Sequence, residues 1–209
     1  MKQLIALAAV LVLVVFPASA QEKAVDDPGG AIEFVQQLSD ETVAVWSDSR
    51  MTEAERYQAF RAIFENATDI RLLAQGMLGR HYRTASTSQR ETYMVAMGDY
   101  IIAEFDKRME QIGFKTLEVT GTKPAPGRSG HLWVSTEVSR DNGEPILADW
   151  RVRKKNGKYQ IVNLRFEGIN LMITNRGVFA DKVKKEGFDG LITWLQSQNG
   201  GSGVRSASS

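Results

Sequence analysis

Apolar residues recur every three or four positions through the first half of the chain and at alternate positions through much of the second. Phe34, Val35, Leu38, Val43 and Trp46 predict a first helix over Ala31 to Trp46. Thr52-Glu53-Ala54-Glu55 has the form of a capping box and opens a second helix, to Asn66, with Tyr57, Phe60, Ile63 and Phe64 on one face. Thr68-Asp69 caps a short third helix carrying Ile70, Leu73 and Met77, and Gly79 stops it. A long fourth helix over Thr87 to Gln111 follows, with Tyr93, Met97, Tyr100, Ile101, Phe105 and Met109 in one stripe. Ser88 and Glu91 supply its capping box, Gly113 ends it, and at 1.5 Å per residue it spans roughly 35 Å.

After Gly113 the period drops to two. Lys115 to Thr122 predicts a strand through Leu117 and Val119. His131 to Ser139 alternates cleanly, with Leu132, Val134, Thr136 and Val138 on one face and His131, Trp133, Ser135 and Glu137 on the other. Asn142-Gly143 signals a hairpin into Pro145 to Lys154, with Ile146, Ala148, Trp150 and Val152 on one face. Asn156-Gly157 signals another, into Lys158 to Phe166. Helices over Met172 to Glu186 and Phe188 to Gln198, separated by Gly187, close the chain. The expected fold class is α+β: N-terminal helices packed on a four-stranded (or slightly larger) curved antiparallel sheet, with C-terminal helices. One face of such a sheet must be covered, because it carries too many apolar residues to be wetted on both sides.

The N-terminus bears on location. Lys2, the apolar run Leu4 to Phe16 and Ala18-Ser19-Ala20 have the form of a secretory signal peptide, residues 1–20. Residues 21–30 read as a lead-in, 31–198 as a single domain, and 199–209 as a Gly/Ser tail. The chain has no cysteine, which fits an exported protein that folds on its hydrophobic core alone. The expected compartment is the periplasm of a Gram-negative bacterium, without stable membrane insertion.

Charge excludes more than it suggests. Of 26 basic and 25 acidic residues only Lys2 lies in residues 1–20, so the remainder is formally neutral. That is not the basic surface nucleic-acid binding requires. The run Lys182-Val183-Lys184-Lys185-Glu186 sits near a helix end, where cations complement the dipole.

One stretch carries a family resemblance. Leu78-Gly79-Arg80-His81-Tyr82-Arg83-Thr84-Ala85-Ser86, followed by Gln89-Arg90, resembles the signature of the MlaC, or toluene-tolerance, family. The resemblance continues through Gly157-Lys158-Tyr159-Gln160-Ile161-Val162-Asn163, Glu167-Gly168-Ile169-Asn170-Leu171 and Asn175-Arg176-Gly177-Val178-Phe179. It ends in Gly187-Phe188-Asp189-Gly190-Leu191-Ile192-Thr193-Trp194-Leu195, so that it spans roughly residues 32 to 195 in order. Tyr159, Asn163, Asn170 and His81-Tyr82 stand where the family usually has Trp, Asp, Ser and Tyr-Trp.

The resemblance implies a periplasmic phospholipid carrier of the maintenance-of-lipid-asymmetry transport system. It implies phospholipid as ligand, and as partners an outer-membrane lipoprotein complex and an inner-membrane ABC transporter complex. A monomer is expected, with no cofactor, no metal and no catalytic residues. Physical chemistry points the same way: about 30 methylenes at about 0.8 kcal/mol each put a barrier above ~20 kcal/mol on free passage of a diacyl lipid through water. A carrier therefore encloses an apolar pocket. Expected pocket residues are Tyr93, Met97, Ile101, Val134, Val152, Ile161, Leu164, Ile169 and Phe179. Met77, Met94, Met109 and Met172 add to Met97 a flexible lining that adapts to varied chains. Arg80, Arg83 or Arg151 is expected at the pocket mouth.

A rival class is an isomerase- or dehydratase-type enzyme with a cone-shaped helix-plus-sheet pocket. It would pair His81 or His131 with Asp99 or Asp149. The chain has no Gly-x-x-x-x-Gly-Lys-Ser/Thr motif, so any nucleotide energy would come from partners.

Overall fold

Asp27 starts the first helix: its carboxylate accepts from the Gly30 N–H (3.0 Å), and Pro28 takes the first helical position, where its missing N–H is harmless. Helix α1 (Pro28–Ser47) therefore begins three residues before Ala31, inside the stretch read as a lead-in. The computed structural model describes residues 27–199. The expected signal peptide (1–20), the lead-in up to residue 26 and the tail beyond Asn199 lie outside the described residues.

Helix α2 (Glu53–Ala67) opens with the expected Thr52–Glu55 capping box, and α3 (Ile70–Leu78) is capped by Asp69 and stopped by Gly79. A single turn, α4 (His81–Thr84), leads into α5 (Thr87–Ile112). The capping box of α5 is Ser86 with Gln89, two residues before the expected Ser88–Glu91 pair. Ser86 has the extended backbone that an N-cap needs (ψ 166°), whereas Ser88 is already helical. Gly113, left-handed at φ 61°, ends α5 as expected.

Five strands form one antiparallel sheet in sequence order: β1 (Phe114–Pro124), β2 (His131–Arg140), β3 (Ile146–Lys155), β4 (Lys158–Phe166) and β5 (Ile169–Asn170). Asn156-Gly157 makes the two-residue hairpin the sequence signals, both with positive φ. The Asn142-Gly143 connection is wider, because β2–β3 pairing ends at Val138↔Ile146. Glu167-Gly168, both at positive φ, turns the chain into β5, a strand absent from the sequence expectation.

The register puts the expected faces together. Leu132↔Val152, Val134↔Trp150 and Thr136↔Ala148 pair across β2 and β3 with their side chains buried under the helices. Thr136 is satisfied there: its hydroxyl donates to the Ala148 carbonyl (2.9 Å) and accepts from Trp150 Nε1 (3.0 Å). Register shifts in β1 and between Arg151 and Val152 mark the bulges that bend an antiparallel sheet.

Helix α6 (Leu171–Asn199) is broken at Gly187 (φ 77°, ψ 178°) into two arms, which matches the two expected helices. It packs with α3 and α5 around Tyr93, Met97, Phe179, Leu191 and Leu195. A second cluster, between α1, α5 and the sheet, holds Val35, Met109, Leu117, Val134, Val152 and Phe166.

Candidate functional site

Two cavities lie between the helices and the inner face of the sheet. The first is a narrow cleft between α1, α2, α5 and the sheet. Leu38, Phe60, Met109, Leu117, Val138 and Phe166 form much of its wall, and among the described residues no charged one lines it. Its polar members, Ser39 and Thr42, sit on α1, and the Thr42 hydroxyl donates back to the Leu38 carbonyl (2.8 Å). Such a wall offers dispersion contacts and almost nothing to a polar group.

The second cavity, the roomier of the two, lies between α3, α5, β4 and the first arm of α6. Leu73, Met77, Ile101, Ile161, Leu164 and Met172 line its apolar part. Glu104, Arg108, Asn163, Thr174 and Asn175 give it a polar rim. Tyr100 also lines it, and burial together with the nearby Glu104 carboxylate pushes its hydroxyl up to about 12, so it stays neutral.

Phe64, Phe105 and Trp150 line both cavities. The Phe105 ring is 5.2 Å from Phe64 and 6.1 Å from Trp150, so three aromatic rings partition a single apolar layer. All three lie on faces the periodicity marks as buried: Phe64 on the second helix, Phe105 in the long-helix stripe, Trp150 on the inner strand face.

The expected pocket residues divide. Ile101, Ile161 and Leu164 line the second cavity, joined by Met77 and Met172. Tyr93, Met97 and Phe179 are fully buried in the packed core between α3, α5 and α6, where the Tyr93 hydroxyl donates to the Ala74 carbonyl (2.8 Å). Val134 and Val152 are buried on the inner sheet face and line neither cavity. Ile169 lies on β5, 58% exposed. Arg80 and Arg83 are exposed around α4, away from both cavities.

Arg151 lies on the outer face of the sheet, since its neighbours Trp150 and Val152 face inward. Its Nη2 donates to the Pro126 carbonyl (3.0 Å) and its guanidinium sits over Trp133. The arginine that lines a cavity is Arg108, one turn beyond Phe105 on α5.

The stretch around α4 is a structural knot. Arg90 Nε donates to the Ala85 carbonyl (3.1 Å), its Nη2 to the Arg83 carbonyl (3.3 Å), and its guanidinium covers Tyr82. Gln89 reaches Asp189 of the second α6 arm (3.0 Å), and Arg176 of the first arm donates to the Gly76 carbonyl (2.8 Å) against Gly79. These bonds tie α3, α5 and α6 together.

The histidine–carboxylate pairs of the enzyme reading do not form. Asp99 pairs with Arg61 (2.8 Å), and Asp149 accepts from the Ser135 hydroxyl (2.6 Å). His81 Nε2 and His131 Nδ1 are buried without a hydrogen-bond partner. Burial and the nearby Arg151, Arg128 and Arg153 lower His131 to about 4, the wrong direction for a base or acid working near neutrality. Among the described residues no group of three or more His, Cys, Asp or Glu side chains is placed to hold a metal ion, and no helix is long and apolar enough to cross a membrane.

Comparison with known proteins agrees with this architecture. Residues 36–197 match the family model described as MlaC protein. The intermembrane phospholipid transport system binding protein MlaC of Haemophilus influenzae is 23% identical over 123 residues, a match spanning 57% of each chain. The phospholipid-binding protein from Ralstonia solanacearum, solved in complex with a phospholipid, superposes with a TM-score of 0.64 at 21% identity. That superposition covers 82% of this chain and 97% of the other, and it shows a shared fold. With the family model covering most of its length and the α+β architecture in place, the chain belongs to the MlaC family.

Proposed function

We propose that this chain is a periplasmic carrier that holds phospholipid acyl chains between its helices and its sheet. The observation that carries the reading is the pair of apolar cavities meeting at Phe64, Phe105 and Trp150, the first without a charged residue in its wall. An alkyl chain moved from water into such a wall gains about 0.8 kcal/mol per methylene, enough to offset the cost of leaving a bilayer. Methionines and phenylalanines around the cavities repack for chains of different length. The head group stays at the polar rim of the second cavity, where its charge remains hydrated.

The Haemophilus relative is described as part of an intermembrane phospholipid transport system, and the Ralstonia protein was solved with a phospholipid bound. With family membership these support a path in which the chain, as a monomer, exchanges lipid with an outer-membrane lipoprotein complex and an inner-membrane ABC transporter complex. In that role it maintains outer-membrane lipid asymmetry. The chain acts by binding and release, without catalysis or cofactor.

Native mass spectrometry of the protein purified from the periplasm tests the reading. A bound mass that extracts as phospholipid is expected. A protein that is empty as purified, and stays empty after incubation with phospholipid vesicles, overturns it.

A further inference from the structure

Among the described residues Arg108 is the only cation that lines either cavity. It is solvent-exposed at the wall of the second, and its guanidinium lies 5.6 Å from the ring centroid of Phe166, a wall residue of the first. It stands three residues beyond Phe105, which at 1.5 Å per residue is about 4.5 Å along the helix from the ring dividing the two spaces. Among the described residues no carboxylate lies within ion-pairing distance of it, although Glu104 lines the same cavity four residues earlier. Asn163, 6% exposed and also in that wall, accepts from the Leu164 N–H with its Oδ1 (2.8 Å), and its amide N–H groups make no hydrogen bond to any described residue. A cation and an amide donor thus stand in the wall of the second cavity, the cation one helical turn from a ring that lines both.

One ligand chemistry has that shape: a single phosphodiester from which two apolar chains diverge. Building on the carrier reading above, we propose that Arg108 binds the phosphate of a diacyl glycerophospholipid whose two chains part at Phe105, one entering each cavity. The guanidinium gives charge-assisted hydrogen bonds to phosphate oxygens, and Asn163 adds a neutral donor near the glycerol esters. Glu104 repels a second negative charge, so a lipid with one anionic group is preferred over a more highly charged one. A diacylglycerol fills the cavities but leaves Arg108 without its partner.

The test is competitive loading of delipidated protein with phosphatidylglycerol and diacylglycerol of the same chains, read by native mass spectrometry. Wild type is expected to favour phosphatidylglycerol at least tenfold. Arg108→Gln is expected to bring the ratio close to one, and Arg108→Lys to restore most of the preference. A phosphatidylglycerol with photoactivatable groups on both chains is expected to bridge a first-cavity peptide holding Leu38 or Leu117 to a second-cavity peptide holding Leu73 or Met77.

An Arg108→Gln protein with the wild-type preference, or bridges confined to one cavity, overturns the proposal while the carrier reading stands. A wild-type protein that takes up neither lipid overturns both.

Discussion

The guanidinium of Arg165 lies 3.9 Å from the ring centroid of Trp133. Alternation in β2 puts Trp133 on the outer face of the sheet, away from the helices, yet it is only 2% exposed. Its cover is cationic: Arg165 from β4 and Arg151 from β3 lie over the ring, and their aliphatic stems replace the layer an outer sheet face lacks. Arg165→Ala is expected to expose the indole, red-shift the emission component that Trp133→Phe removes, and cost about 1–2 kcal/mol of stability. Urea unfolding followed by fluorescence checks both effects.

Leu38 lines the first cavity from α1, the helix that closes it against the sheet. Leu38→Trp is expected to fill that space and lower phospholipid loading at least tenfold, at an overpacking cost of about 1–3 kcal/mol. Vesicle-loading assays on protein whose folding is verified by circular dichroism read the effect.

Phe105 packs against Phe60, Phe64 and Trp150 at ring separations of 5.5, 5.2 and 6.1 Å. Phe105→Ala removes the shared wall, joins the two cavities and is expected to cost about 3 kcal/mol. Denaturant unfolding measures the loss, and added phospholipid is expected to recover part of it by binding only the folded state.

Asp27 ties the start of α1 to the β3–β4 hairpin. Its Oδ2 accepts from the Tyr159 hydroxyl (2.5 Å) and lies 3.3 Å from Lys154 Nζ. The Tyr159 hydroxyl, then the Gly30 N–H, then Lys154 hold the carboxyl down to about 2 from 3.8. The unfolded chain therefore binds this proton first as pH falls, so the tie stabilises the fold above the usual carboxylate value and is lost as pH drops through about 2. Wild type is expected to melt higher than Asp27→Asn at pH 6, and the gap to close between pH 3.8 and about 2. A gap independent of pH would assign the effect to shape instead of charge.

The layers were legible because burial has a period. Leu132, Val134 and Thr136 face the helices as alternation requires, and Gly79 and Gly113 stop their helices where a left-handed or otherwise positive φ was needed. Period does not separate a packed neighbour from a void. Tyr93, Met97 and Phe179 belong to the same apolar pattern as Ile101, yet they meet side chains of α3 and α6 while Ile101 meets a cavity. That difference depends on how far apart the elements sit, which no local pattern encodes. Val134, with 0% exposure in a tight cluster, is a site where arginine would break the fold before it blocked a ligand. Arg151 was legible: with Trp150 and Val152 inward it had to point out, and Arg108, one turn past Phe105, was the arginine that helical spacing brings to the cavity side.

The knot around α4 bears on what kinship can tell. Gly79, Arg90 and Gln89 make their bonds to backbone carbonyls and to a neighbouring helix, and no residue from Leu78 to Arg90 borders either cavity. This stretch of the family's signature is thus scaffold, whereas its later stretches reach the second cavity at Ile161, Asn163, Leu171 and Asn175. Two members that read alike from Leu78 to Arg90 are free to carry different molecules.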